Sequence, residues 1–438
     1  MSVSRRFAVL AAAGIPLILL AALLSGLVPA VIFWLYNIIL LGLLAVDIIL
    51  STPASALVVR RMDSDMKEAG DSLKIFHNAE NCIIFTVYNP GGYPVTVQAV
   101  DTAVPRYFEI SGEDLIHTIK PYSEEVFSYN VTPSKRGAFT FKFIHLKVFG
   151  HLGFGIKYHR HDCPVEFKVY PNLKDLSSFR IMVQNNRLLP PGEKTMHLFG
   201  TGSEFKSLRT YVEGDDYRKI NWPVTARERR IIVNEYQVEK NQPIFMLIDG
   251  GRPMSYSVKG YKKLDYAINA SLVLSDIINS RGDQSGLLVF DREVRKMIMP
   301  GKGQAHRNNL MESLYHIQET RDTSNYELAI NTLCERQKRR SLVFIFTDFE
   351  TLEEGRELTS HIGRLKRRHF PILVFMKNEG LIGLSESEDT YVQDVANAFI
   401  AERTELYRQL NALSVANVET EAEKFSVTAV NQYLALRN

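Results

Sequence analysis

The chain has 438 residues, of which 45% are hydrophobic and 23% charged, and its formal net charge is +3. This length suffices for two or three domains with buried cores, and the composition is that of a globular protein with an added apolar segment. So small a net charge gives no reason to expect a nucleic-acid partner. Three widely separated cysteines do not form a disulfide scaffold and fit a reducing compartment.

The first predicted element is a pair of membrane-spanning helices. No residue over 7–46 carries a charge, and this run is about twice the roughly 20 apolar residues that one helix needs to cross a bilayer. Pro29, shortly after Gly26, marks the turn between the two spans, because proline cannot donate to a continuing helix. The predicted helices cover about 7–27 and 30–50 within an anchor over 1–61.

The charges that flank the anchor predict its orientation. Arg5 and Arg6 precede the first span, Arg60 and Arg61 follow the second, and the turn has no basic residue. The positive-inside rule then places the soluble domains in the cytoplasm and the anchor in the cytoplasmic membrane. The alternative is a cleaved signal peptide, but the apolar stretch exceeds the roughly 7–15 residues expected and no small-x-small cleavage site closes it.

Residues 62–172 have the pattern of a β-sandwich. Short β-branched and aromatic runs, such as 83–88, 95–100 and 127–131, are separated by turn residues. Strands of this length and spacing predict two antiparallel sheets of the immunoglobulin-like type. No residue type in this region points to catalysis.

The segment over 173–241 contains an unusually dense set of special residues. They are Arg209, Tyr211, Gly214, Asp215, Asp216, Arg218, Trp222, Thr225 and Arg227, and we call them the signature. Its arginines and aspartates can form bidentate ion pairs. The preferred interpretation is a buried ionic clasp between the flanking domains, with Trp222 as its apolar plug, because this set can pair fully. The alternative is a partner-recognition surface, because arginine and tryptophan are enriched in binding hot spots.

From residue 242 to residue 438 apolar strands alternate with helices, which predicts a doubly wound α/β domain. The continuous apolar run over 244–248 is typical of a strand buried on both faces. Asp249, Asp291 and Asp348 each follow a predicted strand. Open sheets bind ligands at that edge, so the three carboxylates can converge on one point.

The signature resembles that of the domain of unknown function 58 family, in which such an arginine-aspartate-tryptophan motif leads into a von Willebrand factor type A domain. The run from Lys135 through Arg136 and Gly137 to Phe139 resembles the arginine-glycine-aromatic turn in the sandwich of the same family. The resemblance covers nearly everything after Arg61. It implies a multi-domain chain with a helical hairpin, a β-sandwich and a type A-like domain, and an adaptor or chaperone-like role beside a MoxR-type AAA+ ATPase.

The same resemblance implies a cation site, which this sequence alters. Type A domains hold a divalent cation with an Asp-x-Ser-x-Ser loop, but here Gly251 and Pro253 stand at the two serine positions. The remaining candidate ligands are Asp249, Thr323 and Asp348. They leave at most weak Mg²⁺ binding. The preferred interpretation is that no metal is resident and that Arg252 neutralises the two carboxylates as a substitute cation.

Catalytic motifs are missing from the sequence, including a complete phosphate-binding loop, a His-Glu-x-x-His zinc motif and a Gly-x-Ser-x-Gly elbow. We therefore expect a membrane-anchored protein–protein interaction or assembly adaptor without a cofactor. The alternative is a divalent-metal-dependent hydrolase that uses Asp249, Asp291 and Asp348.

Overall fold

The computed structural model describes residues 2–23, 27–62, 70, 72–101, 106–111, 116–172, 204–212, 220–237, 241–349, 351–387 and 389–437. The chain divides into two compact units, Met1–Asn172 and Leu173–Asn438. Each unit is described by itself.

The first unit begins with a two-residue strand and two apolar helices. They are β1 Ser2–Val3, α1 Arg5–Leu23 and α2 Leu27–Leu50. The Tyr36 hydroxyl of α2 donates to the Leu10 carbonyl of α1 at 2.8 Å. Among the described residues, one helical segment, Trp34–Ala56, is long and apolar enough to cross a membrane. Two helices therefore occupy the predicted anchor, while the structure offers one candidate membrane span.

Nine further strands make up the rest of this unit. They are β2 Val58–Met62, β3 Ser72–Phe76, β4 Asn81–Asn89, β5 Val95–Asp101, β6 Phe108–Ser111, β7 Ile116–Ile119, β8 Ser123–Pro133, β9 Gly137–Phe149 and β10 Gly155–Tyr170. One sheet has the order β1-β10-β9-β5-β7, with β3 also paired to β10, and the other has the order β2-β4-β8-β6. Alternating buried residues of both sheets form one apolar core. This is the arrangement of a β-sandwich.

Two details of the sandwich differ from the prediction. Strand β2 begins at Val58, so residues assigned to the anchor belong to a sheet. Strand β3 pairs with β10 in parallel, so the sandwich is not wholly antiparallel. The immunoglobulin-like topology stays a prediction.

A buried ion pair joins the two sheets. Arg61 in β2 contacts both oxygens of Asp101 in β5, at 2.8 Å for the Nη2–Oδ1 pair, and Arg61 Nε donates to the Cys163 carbonyl in β10 at 3.1 Å. The Tyr129 hydroxyl of β8 also donates to Asp101. Both charged side chains are 1% exposed. Arg61 is therefore a core residue, and its predicted role as a free charge flanking the anchor is wrong.

The end of α2 is fixed to the turn between β9 and β10 by a carboxylate. Asp47 is buried and accepts hydrogen bonds from the backbone N–H groups of Leu152, Phe154 and Gly155, at 2.7, 2.9 and 2.9 Å. A Cβ at Gly150 would overlap the Asp47 carboxylate, so this position requires glycine. The start of α1 reaches the same turn, where Ser4 donates its N–H to the Phe154 carbonyl at 2.8 Å.

The second unit begins, within the described residues, with the signature hairpin. It consists of β11 Glu204–Thr210, α3 Trp222–Glu228 and β12 Ile232–Gln237. Strands β11 and β12 pair antiparallel, with Arg209 opposite Val233.

The α/β domain follows. Its strands are β13 Pro243–Asp249, β14 Ser257–Val258, β15 Tyr261–Lys262, β16 Gln284–Phe290, β17 Val294–Gly301, β18 Leu342–Phe346, β19 Phe370–Met376 and β20 Ala416–Thr420. Its helices are α4 Lys263–Ser280, α5 Gln304–Tyr315, α6 Tyr326–Arg336, α7 Leu352–Lys366, α8 Glu379–Ser385, α9 Thr390–Ala412 and α10 Phe425–Arg437.

The sheet of this domain has the order β17-β16-β13-β18-β19-β20. All neighbours pair in parallel except β17, which is an antiparallel edge strand. Apolar cores lie on both faces, as the continuous apolar strands predict. The predicted doubly wound fold is confirmed. Strand order reverses between β13 and β18, and this switch point places Asp249 and Asp348 at the carboxyl edge where such sheets bind ligands.

Candidate functional site

The signature hairpin is held together by local hydrogen bonds. The Asn221 side chain caps α3 by accepting from the Val224 N–H at 3.2 Å. The Thr225 hydroxyl accepts from the Ile232 N–H at 3.0 Å, which ties α3 to β12. Tyr211 donates its N–H to the Ile231 carbonyl at 2.9 Å and extends the pairing of the strands. Thr225 and the Tyr211 backbone thus shape the hairpin itself.

The hairpin presents several side chains to solvent, including that of Trp222. Trp222 is 64% exposed, and Leu208 and Ile231 of the same hairpin are also exposed. Arg209 and Arg227 are also exposed. Trp222 is therefore not buried within its own unit, and its role as the plug of a clasp between the domains stays a prediction. The other signature residues, Gly214, Asp215, Asp216 and Arg218, lie outside the described residues.

The second candidate site surrounds Asp249 at the end of β13. This carboxylate is fully buried and accepts hydrogen bonds from the side chains of Ser324 at 2.5 Å, Thr347 at 2.6 Å and Tyr326 at 3.0 Å. It also accepts from the Gly251 N–H at 2.9 Å. Both carboxylate oxygens are therefore engaged by donors from three different segments.

Gly251, which stands at an expected ligand-serine position, is required by this arrangement. A Cβ at residue 251 would overlap the Ser324 hydroxyl and would lie 3.2 Å from Asp249 Oδ1. The Ser324 side chain thus occupies the space that a side chain at 251 would need. Ser324, and not the predicted Thr323, supplies the hydroxyl at this point.

Asp348 at the end of β18 is neutralised by two cations. Its Oδ2 contacts Lys263 Nζ at 2.5 Å and its Oδ1 contacts Arg403 Nη1 at 2.9 Å. Arg403 reaches further to Glu419 at 2.9 Å. The ion pair of Arg252 goes instead to Glu354, at 2.5 Å. The substitute cation of Asp348 is thus Lys263 together with Arg403, and the prediction of Arg252 in that role is wrong.

The carboxylates of this site are not free to act as ligands of a divalent cation. Asp249 already accepts four hydrogen bonds, and Asp348 already holds an ammonium and a guanidinium. Asp291, the third carboxylate of the proposed hydrolase, pairs with Arg295 at 2.7 Å. Mg²⁺ is usually held by one or two carboxylates together with water, and all three carboxylates here are engaged by protein groups. Among the described residues, no group of three His, Cys, Asp or Glu side chains is placed to hold a metal ion.

A cleft of about 310 Å³ opens beside Lys263 and Arg403. Its walls are largely apolar and come from the loop after β13, the loop after β18 and helices α8 and α9. Phe399 at its edge is exposed. The cleft lies at the ligand-binding edge of the sheet, yet two of the charged residues that line it, Lys263 and Arg403, are already paired with Asp348.

Burial raises the pKa of Asp249 above its ordinary value, against the hydrogen bonds from Ser324, Thr347, Gly251 and Tyr326, which lower it. At a pH between the unfolded pKa and the raised folded pKa, the folded domain therefore retains a proton that the unfolded chain has released. The resulting contribution to stability is complete below the unfolded pKa of about 3.9 and is lost as the pH rises through the raised folded pKa.

We therefore expect Asp249→Asn to become more stable, relative to the native chain, as the pH rises above about 4. Melting temperatures of both proteins across a pH series test this. Burial lowers the pKa of His369 to about 4 and gives the opposite slope, but this contribution is present in both proteins and cancels in the difference. A difference that stays constant with pH would contradict the assignment.

Sequence reasoning missed Lys263, Arg403 and Ser324. One signal was available, because Lys263 is the first residue of α4, where the helix dipole disfavours a cation. A lysine at that position indicates a nearby carboxylate. Arg403 in the middle of α9 carries no comparable signal.

A doubly wound sheet with an antiparallel edge strand and two carboxylates at its switch point defines a von Willebrand factor type A-like domain, here with an internal cation at the cation site. Residues 207–397 match the model of the protein family of unknown function DUF58. This match falls on the part of the chain that contains the signature, and it is with the family that the signature resembles.

Several relatives and solved structures are similar to the chain. The uncharacterized protein Rv1480 of Mycobacterium tuberculosis is 23% identical over 152 residues, which cover 34% of this chain and 48% of that protein. The uncharacterized protein YeaD of Bacillus subtilis is 22% identical over 279 residues, which cover 62% of this chain and 64% of that protein. The chain thus spans about half the length of the mycobacterial relative.

Among solved structures, the SpRpn10 VWA domain is similar at 12% identity over 45% of this chain and 98% of its own, with a TM-score of 0.28. The conserved hypothetical protein BatB from Bacteroides thetaiotaomicron is similar at 11% identity over 44% of this chain and 98% of its own, also with a TM-score of 0.28. Neither likeness bears on function.

Proposed function

We propose that this chain is a membrane-anchored protein–protein interaction protein that binds its partner through the signature hairpin. Its type A-like domain works without a metal, because internal side chains occupy the positions a cation would need. The partner that family resemblance suggests is a MoxR-type AAA+ ATPase, for which the chain would act as an assembly adaptor.

The exposed surface of α2 supports the anchoring. Large apolar side chains are exposed at many positions between Val31 and Ile49. They are Val31, Ile32, Trp34, Leu35, Ile38, Ile39, Leu41, Leu43, Val46 and Ile49. A soluble protein rarely exposes so continuous an apolar surface, whereas a bilayer accommodates it. The candidate span Trp34–Ala56 overlaps α2. The part of α2 before Asp47, which shares residues 34–46 with that span, is about 30 Å long, and this matches the hydrocarbon core.

The cytoplasmic placement of the soluble domains rests on Arg5, Arg6 and Arg60, since Arg61 is buried in an ion pair. Cys82 is exposed and free, so it can report the side of the membrane. We expect a membrane-impermeant thiol reagent to leave Cys82 unmodified in intact cells and to modify it after lysis. Modification in intact cells would refute the placement.

One observation carries the assignment of the partner surface, namely the exposure of Trp222. Burying a tryptophan at an interface yields a large apolar contribution, and tryptophan and arginine dominate binding hot spots. Arg227, Arg229 and Arg230 are exposed on the same short segment. The hairpin thus carries tryptophan and arginine, the two residue types that dominate hot spots, on a segment held together by local hydrogen bonds.

We expect Trp222→Ala to abolish recovery of the MoxR-type ATPase from crosslinked native membranes while the stability changes by less than about 0.5 kcal/mol. The stability is unaffected because the side chain has few contacts to lose. The matched control is Phe399→Ala, which removes an exposed aromatic residue at the cleft of the same unit and should leave recovery unchanged.

Two outcomes would contradict the assignment. If Trp222→Ala still recovers the ATPase, the hairpin is not the partner surface. If only Phe399→Ala loses it, the partner binds at the cleft beside Lys263 instead.

A further inference from the structure

Three loops lie together at the end of the β-sandwich to which α2 is fixed. They are 90–94 between β4 and β5, 120–122 between β7 and β8, and 150–154 between β9 and β10. Strand pairing fixes this, because Thr96 pairs with Phe149 and Val95 pairs with Ile119. Buried Asn89 binds two of the loops, donating to the carbonyls of Tyr93 at 2.8 Å and Lys120 at 3.2 Å. The three loops therefore form one surface, which we call the loop surface.

The loop surface is continuous with the end of the anchor. Asp47 binds the 150–154 loop through the backbone of Leu152 and Phe154. A Cβ at Gly91 would lie 3.1 Å from Thr52 Oγ1, just beyond α2. Lys157, which follows the loop, donates to the Ser51 carbonyl at 2.8 Å. The position of the loops along the helix is thus set by several contacts and not by a flexible linker.

The exposed side chains of this surface are of the types found at a membrane interface. Tyr93 is 64% exposed, Tyr122 is 70% exposed and Leu152 is 48% exposed. Tyr93 packs edge-on against His151, with ring centroids 5.6 Å apart, so the loops touch through these residues. Tyrosine is enriched at the level of lipid headgroups because its ring is apolar and its hydroxyl is polar.

Basic side chains lie at the same level. Lys120 is exposed next to Tyr122. A Cβ at Gly153 would lie 3.5 Å from Arg6 Nη1, which places the start of α1 at the loop surface. Cations near the membrane surface are attracted to anionic headgroups. The loop surface thus matches the apolar and the charged part of a bilayer interface.

We propose that the loop surface lies in the headgroup region of the bilayer, so that the β-sandwich is itself a membrane-contacting domain. This inference rests on the proposed membrane anchoring of α2. Asp47 lies at the edge of the hydrocarbon core. The apolar part of α2 that precedes Asp47 spans this core, and the loops that bind the Asp47 carboxylate lie at the boundary with water. Tyr93, Tyr122 and Leu152 then insert beside the anchor as a second, shallow attachment.

Tryptophan fluorescence in vesicles of brominated lipid tests the depth of each site. The full chain contains two tryptophans, Trp34 and Trp222. With both replaced by phenylalanine, Tyr93→Trp and Tyr122→Trp each introduce one reporter at an exposed aromatic position. The matched control is Phe76→Trp, at an exposed aromatic residue beyond the other end of the sandwich. Phe76 pairs with Tyr170, the last residue of the 16-residue strand β10, about 50 Å along the strand from Gly155.

We expect lipids brominated near the headgroup to quench Tyr93→Trp and Tyr122→Trp, with a shift of their emission to shorter wavelength, and to leave Phe76→Trp unchanged. A chain that retains only Trp34 should be quenched by lipids brominated deep in the acyl chain. If Trp34 is quenched while both loop reporters behave like Phe76→Trp, the loop surface does not contact lipid and this inference is wrong. If Trp34 itself is not quenched, the anchoring in the proposed function fails as well.

Discussion

Asp348→Ala is expected to lower the free energy of unfolding of the α/β domain by about 3–5 kcal/mol, because it leaves buried cations without their carboxylate. Lys263 Nζ lies 2.5 Å from Asp348 and only 9% of its side chain is exposed. In the variant, Arg403 still has Glu419 as an ion-pair partner, so Lys263 is the cation that loses its partner. A loss of this size is a large part of the roughly 5–15 kcal/mol that stabilises a domain.

The matched control is Arg252→Ala. Its side chain is 41% exposed and pairs with Glu354, so we expect a loss of no more than about 1 kcal/mol. Urea denaturation of the full chain in detergent, followed by circular dichroism, measures both. Equal losses for the two variants would restore Arg252 as the cation of this site.

Asp101→Ala is expected to destabilise the β-sandwich by about 3–5 kcal/mol. The change strands Arg61, whose guanidinium lies between the sheets near the rings of Phe141 and Phe167, at 6.0 and 5.7 Å from their centroids. The Cys163 carbonyl remains as an acceptor but does not carry a full negative charge. The sheets should therefore separate at lower denaturant concentration.

Tyr129→Phe is the control for this second prediction. It removes one hydrogen bond to Asp101 and leaves the ion pair in place, so we expect a loss of about 1 kcal/mol. Hydrogen exchange of the β2 and β5 amides reports the sandwich separately from the α/β domain. If Asp101→Ala exchanges no faster than Tyr129→Phe, the ion pair does not hold the sheets together.

The strands of the α/β domain were predictable because a strand buried on both faces is a continuous apolar run. Strand β13 extends one residue beyond each end of the predicted run over 244–248. In helix α7, Leu358, Ile362 and Leu365 lie on one helical face and are buried. The helix contains many charged residues, so its composition alone does not reveal the apolar face.

Contacts between distant residues were not predictable in this way. The sequence identifies Asp348 by its position after a strand, but Lys263 and Arg403 meet it only through the packing of α4 and α9 against the sheet. Arg61 follows an apolar segment, so it resembles a charge that flanks a membrane span. Only the register of β2 in its sheet shows that Arg61 points into the core, where it contacts Asp101.

The overlap between residue 251 and Ser324 has a consequence for substitutions at both positions. A serine at 251 would match the first serine of the type A loop that the sequence resembles, yet it would collide with the Ser324 hydroxyl that binds Asp249. Removing Ser324 first would deprive a buried carboxylate of a donor. A side chain at 251 and the hydrogen bond from Ser324 to Asp249 therefore exclude one another, so neither position can change alone without a loss of stability.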